Sequence, residues 1–247
     1  MAIDLPILLR AYAAGLFPMA DDRAAQSVFW VQPDKRAVLP LDGFHLSKSL
    51  RKVIRADHFI VTADRAFDQV IALCAESVQD RPTTWINADI EEAFLRLHKL
   101  GLAHSVECWE VHVSGPRLVG GLYGLAMGRA FFGESMFSRA DNASKVAMAA
   151  LVARMKVGHF TLLDCQFMTS HLASLGAVEL SADAYSALLD AALAPGVGEP
   201  PDFGALELLA APIDSLPPPP RPALDSTFTV SSPVSGQLIA QLITQTS

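Results

Sequence analysis

Along the first 35 residues, Leu5, Leu8, Leu9, Tyr12 and Leu16 fall at helical spacing, and the pattern ends at Gly15 and the break FPMADD. It predicts a short helix within a small N-terminal domain spanning residues 1–35. From 36 to 195 two periods alternate. RAVLPL, HFIVTA, SVECWEVHV, LVGGLYGLA, RAFFGES and FTLLDCQ are short and rich in branched and aromatic residues, as strands require. SKSLRKVIR, RAFDQVIALCAE, ADIEEAFLRLHKLG, ASKVAMAALVARMK and SADAYSALLDAAL repeat at the helical period. Ser181 and Asn142 stand where N-caps belong, and Gly101 where a helix C-terminus favours glycine. Strands and helices so interleaved predict an α/β (mixed α+β) domain over 36–195.

Beyond about 196 the pattern fails. EPPDFGALELLAAPIDSLPPPPRPALDS is Pro-rich and acidic, which predicts a tail over 196–247, with QLIAQLI (237–243) able to dock on the body. With 51% hydrophobic residues in 247, the chain can build one large domain, or one domain plus a smaller piece. No run of about 18 uncharged apolar residues predicts a membrane span. The N-terminus lacks the basic start and cleavage site of a secretory signal. Cys74, Cys108 and Cys165 are isolated, which argues against a disulfide framework or zinc site and suits a reducing cytoplasm.

The net charge of −7 argues at first against a nucleic-acid partner, but its distribution changes that. Residues 179–247 hold eight acids and one base, Arg221, whereas residues 1–178 hold eighteen of each. A neutral body leaves room for a local basic face. Lys48, Arg51, Lys52 and Arg55 fall at i, i+3, i+4 and i+7, so they share one side of a helix, with Leu50, Val53 and Ile54 opposite. Four like charges repel, and a polyanion laid along them removes that cost. An ordinary solvated face is the competing reading.

Glu134 lies among Phe131, Phe132, Met136 and Phe137, where an unpaired carboxylate is costly. On a strand, Ala130, Phe132 and Glu134 face one way, and Gly133 lets a backbone or ligand approach. The competing reading is a buried ion pair with Arg139 or Lys145. Asp164 and Gln166 are two apart on another strand, so the carboxylate could accept from the Gln166 amide and leave the amide oxygen outward. A turn cap at Asp164 is equally open. No metal-ligand spacing, G-x-S-x-G or Walker loop is present, and His45, His98, His104, His112 and His171 are scattered.

The segments AYAAGLFPM, FWVQPDKRAVLPL, HLSKSL, TWI, LHKLGLAHSVECW, LVGGLYG, GESMFSRADNASK, LLDCQ and HLASLGA, in this order, resemble the pattern of leucyl/phenylalanyl-tRNA–protein transferases. The resemblance runs from about residue 9 to 190. It implies transfer of Leu, Phe and less readily Met from aminoacyl-tRNA to proteins beginning with Arg or Lys, which marks them for degradation. It also implies an acyl-CoA N-acetyltransferase-like (GNAT-like) larger domain and no cofactor or metal. By motif, the amino-acid pocket falls on Leu122, Phe131, Glu134, Met136, Met148 and Leu163, and the basic stripe on a tRNA-contacting helix. Trp85 corresponds to an aromatic near the 3′ adenosine, and Met19 stands where some members carry Trp. The mechanism expected is that Gln166, held by Asp164, aims the acceptor amine while Glu134 handles the donor's amino group or a proton. A monomer is the default. The alternatives are an acyl-CoA-dependent N-acetyltransferase, whose glycine-rich pyrophosphate loop has no counterpart in SRADNASK, and a non-catalytic tRNA-binding module.

Overall fold

The computed structural model describes residues 2–76, 83–195, 199–209 and 233–245. The chain opens with α1 (Leu5–Ala13), capped by the Asp4 carboxylate, which accepts from the Ile7 N–H. After a turn at Gly15 (φ 79°), β1 (Phe17–Met19) and β2 (Phe29–Val31) form a two-stranded antiparallel ribbon. Then follow β3 (Lys35–Val38), α2 (Lys48–Arg55), β4 (Ile60–Ala63), α3 (Phe67–Ala75), α4 (Ala88–Lys99) and β5 (Ala103–His112). The second half runs β6 (Gly115–Met127), β7 (Ala130–Ser138), α5 (Ala143–Val157), β8 (Leu162–Gln166), α6 (Ser170–Ser174), β9 (Val178–Ser181) and α7 (Ala182–Leu193). Two short helices, α8 (Ala205–Leu209) and α9 (Gly236–Thr244), end it.

Seven strands form one sheet in the order β4-β5-β6-β7-β8-β3-β9. Neighbours are antiparallel except β7 and β8, which run parallel because α5 crosses between them. Each face of the sheet covers its own core. On one side α5 packs with α2, α8 and α9; on the other lie α1, α3, α4 and α7. Helix α5 is buried nearly all round, and its run of alanines lets strands and helices approach it on every side.

Every strand and helix expected from the periodicity between 36 and 193 is present. Ser181 caps α7 with its hydroxyl, and Gly101 takes φ 72° after α4, as glycine permits there. Asn142 does stand at the N-cap of α5, but in a left-handed conformation (φ 69°) and with no side-chain capping bond. Of the elements the periodicity did not predict, β1, β2, β9, α6 and α8 span three to five residues, too short to show a period, and α9 is the dockable segment QLIAQLI wound as a helix.

Parts of the expected tail belong to the cores. Phe203 stacks on Phe131, Leu206 is buried, and Arg154 of α5 pairs with Glu207 at 2.5 Å. Helix α9 buries Ile239, Ala240 and Ile243. The proline-rich stretch 210–232 lies outside the described residues.

Candidate active site

Strand β7 carries a bulge. Tyr123 of β6 faces Ser135 and the next residue, Gly124, faces Gly133, so Glu134 has no partner in the register. The extra residue shifts the alternation. Phe131 and Met136, five apart, both turn toward α5, which an unbroken strand would forbid. Gly124 is required beside the bulge, because a Cβ there would lie 2.4 Å from the Phe131 ring and 2.3 Å from the Phe132 carbonyl oxygen. The bulge thus delivers Met136 to a cavity wall and Glu134 to its floor.

The cavity has a volume of about 460 Å³ and is bounded by β6, β7, β8, α5 and α6. Leu122, Met136, Met148 and Leu163, four of the expected pocket residues, form its apolar wall, and Trp85 borders it. Phe131, the fifth, does not line it. It is fully buried one layer beneath, stacked 5.6 Å from Phe203, so it shapes the wall only from behind. Apolar walls around a few placed polar groups are the usual make-up of a small-ligand site.

Glu134 and Gln166 are the cavity's two buried polar groups that bond each other, beside Ser135, Ser138, Ser144, Thr169 and His171 on the lining. The Gln166 amide nitrogen donates to Glu134 Oε1 at 2.9 Å, whereas Glu134 Oε2 and the buried Tyr12 hydroxyl make no bond of good geometry yet lie near enough to act on each other, the hydroxyl pulling the carboxyl's pKa down and the carboxyl pushing the hydroxyl's up. Neither Arg139 nor Lys145 pairs with Glu134; Arg139 bonds Glu76 instead. Burial pushes the Glu134 carboxyl up to about 8, against the opposing pull of nearby Tyr12 and of Gln166. A carboxyl tuned to that range can hold or release a proton near neutral pH.

Asp164 departs from its expected arrangement. Its carboxylate does not touch the Gln166 side-chain amide. Its Oδ1 accepts from the Gln166 backbone N–H at 2.8 Å, and the same carboxylate takes Arg36 Nε at 2.8 Å, Arg36 Nη2 at 2.6 Å and the Tyr185 hydroxyl at 2.8 Å. With 0% exposure and every bond internal, it cannot reach a substrate. It holds Gln166 in a left-handed conformation (φ 61°), which costs about 1–2 kcal/mol for a residue other than glycine. That turn aims the Gln166 amide nitrogen at Glu134 and leaves its oxygen as an acceptor. A backbone conformation of this kind cannot be read from the two-residue spacing.

Arg36 and Tyr185 were not among the expected residues. Arg36 is 2% exposed, lies 4.6 Å from the rings of Phe17 and Tyr185, and donates to the Gly15 carbonyl at 2.9 Å. It therefore ties the turn after α1 to β8. A charged residue at the start of the apolar run RAVLPL was the available signal. His171, set aside as scattered, lines the cavity on α6, with its Nε2 buried and unbonded; burial and the nearby Lys145 charge lower its pKa.

The basic residues occupy α2 as expected. Lys48, Arg51, Lys52 and Arg55 are exposed and border a shallow surface hollow, Leu50 and Ile54 are buried, and Ser47 caps the helix. Among the described residues none of the four forms an ion pair with an acid. The His45 N–H bonds the Leu175 carbonyl at 2.8 Å, which tethers the approach to α2 to the segment after α6, where His171 and Leu172 line the cavity. Met19 is half-buried on the neighbouring ribbon, and the next residue, Ala20, bonds the Trp85 carbonyl at 3.0 Å.

A profile of the family described as leucyl/phenylalanyl-tRNA protein transferase matches residues 38–190, and one of its N-terminal domain matches residues 1–34. The chain is 56% identical to the leucyl/phenylalanyl-tRNA–protein transferase of Rhizorhabdus wittichii, over 100% of this chain and 99% of that protein. It is 60% identical to the namesake of Zymomonas mobilis over 77% of this chain and 70% of that protein. With that of Phenylobacterium zucineum it shares 48% identity over 97% and 96%. Among solved structures, FemX is similar at 10% identity and a TM-score of 0.49, covering 71% of this chain and 66% of that one, a likeness too distant to bear on function.

Proposed function

Because the chain belongs to the leucyl/phenylalanyl-tRNA protein transferase family, we propose that the cavity above Glu134 receives the donor's side chain and that α2 receives the phosphates of its tRNA. The enzyme moves leucine or phenylalanine from an aminoacyl-tRNA to the N-terminus of a protein. The cavity itself carries the detailed reading: an apolar slot in which a single buried carboxyl, tuned to about 8, meets a held amide. Its two methionines can adapt to branched or aromatic side chains, which favours Leu and Phe and admits Met less readily.

In the reaction the acceptor's α-amine nitrogen attacks the ester carbonyl carbon. The bond from that carbon to the 3′ oxygen breaks, the amine loses a proton and the 3′ hydroxyl gains one. The ester is already activated, so alignment is the main task, and effective molarity can supply about 7–11 kcal/mol. An N-terminal amine with a pKa of about 8 is roughly one-tenth neutral at pH 7. Gln166 Oε1 accepts a hydrogen bond from that amine and aims it. Glu134 holds the donor's amino group or takes the departing proton. Asp164 acts through Gln166, so it is a positioning residue.

Acceptors beginning with Arg or Lys, their marking for degradation, a cytoplasmic site of action and a monomeric state complete the reading. So does the division into a small unit at 1–35, a GNAT-like catalytic unit at 36–195 and a C-terminal segment at 196–247. Trp85 offers a stacking face for the 3′ adenosine, with Met19 beside it. Labelled Leu-tRNA and an Arg-starting peptide, mixed with the protein without coenzyme A, test the activity: the peptide becomes labelled. An unlabelled peptide, or labelling that needs an acyl-CoA, overturns the reading.

A further inference from the structure

Helix α2 has eight residues, about 12 Å of helix, too short to be stable by itself. It carries four exposed like charges that oppose its own folding. Only Leu50, Ile54 and the half-buried Val53 anchor it, and the sheet-facing side of that anchor rests on the α5 core.

Helix α9, from the far end of the chain, joins the same core. The Gly236 N–H donates to Asp57 Oδ1 at 2.6 Å, just beyond the end of α2. A Cβ on Gly236 would lie 1.8 Å from the Ile54 carbonyl oxygen, so the two backbones touch and only glycine fits. The Val234 N–H bonds the Val61 carbonyl of β4 at 3.2 Å. At the other end, Lys156 of α5 donates to the Gln245 carbonyl at 2.5 Å and pairs with Asp42 at 2.8 Å, in the turn that precedes α2. Both ends of α9 are therefore fixed to groups that flank the basic helix. The segment GQLIAQLIT bears no charge, so it supports α2 without neutralising the four bases.

We propose that α9 is the positioning element of the phosphate-binding helix: its docking through Gly236 and Asp57 sets where Lys48, Arg51, Lys52 and Arg55 stand relative to the cavity. The proposal rests on the reading that α2 binds the tRNA. A brace of this kind affects the carrier RNA and leaves the chemistry at Glu134 alone.

The test uses the full-length protein with two donors, Leu-tRNA and leucyl-adenosine, which shares the reacting ester but lacks the tRNA body. Gly236→Ala forces α9 off Ile54. The expected result is a rise of about 3- to 10-fold in KM for Leu-tRNA and in Kd for deacylated tRNA, with the slope of log affinity against log salt lowered by about one. Turnover at saturation and the rate with leucyl-adenosine stay at the wild-type level, as does Gln237→Ala, on the exposed side of α9. Asp57→Gly removes the tether while suiting the positive φ of 47° at that position, and carries the same test if Gly236→Ala fails to fold. Unchanged tRNA affinity in both folded variants overturns the proposal, and so does an equal loss with both donors. Replacing Lys48, Arg51, Lys52 and Arg55 together by Ala separates the layers. A wild-type salt slope in that variant removes α2 as the RNA site and the brace with it. A flattened slope there, with Gly236→Ala unaffected, removes the brace alone.

Discussion

Glu107 on β5 and Glu134 on β7 are both buried carboxyl groups of the same sheet, and burial raises the pKa of each. Their surroundings differ. Glu107 accepts from the Thr62 hydroxyl at 2.6 Å, the Ser105 hydroxyl at 2.5 Å and the backbone N–H groups of Arg65 and Ala66 at 3.3 and 3.4 Å. The last two lie just before α3, whose N-cap residue is Ala66. Glu107 thus fixes the backbone that leads into α3 from the neighbouring strand. Glu134 accepts one bond of good geometry, from Gln166, has only the nearby Tyr12 hydroxyl for its second oxygen, and borders a cavity. Burial alone does not mark a working carboxyl. A buried carboxyl with few internal bonds beside open space is the better candidate.

The comparison breaks most sharply at Glu134 itself. Glu134→Gln keeps the shape and the possibility of a bond to Gln166 but removes the carboxyl proposed to handle a proton. Turnover with Leu-tRNA should fall by about a hundredfold, the lower end for a group that handles a proton in the transition state. Near pH 5, where the difference in protonation between the folded and unfolded chains at this site still costs little stability, stability in urea should change by less than about 1 kcal/mol, since the new amide can bond the Tyr12 hydroxyl. Near-normal turnover would reduce Glu134 to a space-filling group.

Glu107→Ala should do the reverse. Two buried hydroxyls and the N–H groups leading into α3 lose their acceptor, which should cost about 3 kcal/mol of stability. At a temperature where the variant is folded, KM and kcat should stay within about twofold of wild type. A selective loss of turnover would erase the distinction between the two glutamates.

Proton linkage sharpens the contrast further. Below about 4.5, folded and unfolded chains both carry the Glu134 proton. Between that value and about 8 the unfolded chain has released it and the folded chain retains it, so rising pH favours unfolding; above about 8 the effect levels off. Glu134→Gln removes this component. The stability of the variant relative to wild type should therefore grow from pH 5 to 8 and then level, read from urea midpoints. A difference independent of pH would mean that Glu134 has no raised pKa in the folded protein.

These residues also show what the sequence discloses and what it withholds. The helices and longer strands were legible because their apolar periods run for many residues, and α2's stripe because four charges at helical spacing admit a single geometry. The pocket residues Leu122, Met136, Met148 and Leu163 were legible through the family motifs. What escaped depends on contacts far apart in the chain. Arg36 meets Asp164 across 128 positions, and Glu107 lies unremarked in an alternating strand until β4 and α3 surround it. The bulge at Glu134 and the left-handed Gln166 are departures from regular backbone, which no periodicity encodes. Phe131 was misplaced for the same reason: its neighbour Phe203 comes from a segment whose composition predicted a tail.

The smallest expected effect concerns the support behind the site. Tyr185 donates to Asp164 Oδ2, an oxygen also bonded by Arg36 Nη2 at 2.6 Å, whereas the bond that holds the Gln166 backbone ends on Oδ1. Tyr185→Phe therefore removes one donor of several and leaves the left-handed turn pinned. A loss of about 1 kcal/mol in stability is expected. Turnover should fall only about two- to threefold, with KM for Leu-tRNA unchanged, if Asp164 acts as proposed, by aiming Gln166 rather than by binding the donor. Arg36→Lys is the harsher variant of the same experiment. A lysine loses the fork that bonds Asp164 through two nitrogens while reaching Gly15 with a third. If Tyr185→Phe lowered turnover as far as Glu134→Gln does, Asp164 would have to be reckoned among the reacting groups, against its complete burial; if neither Tyr185→Phe nor Arg36→Lys moved turnover, the aim of Gln166 would not depend on Asp164 at all.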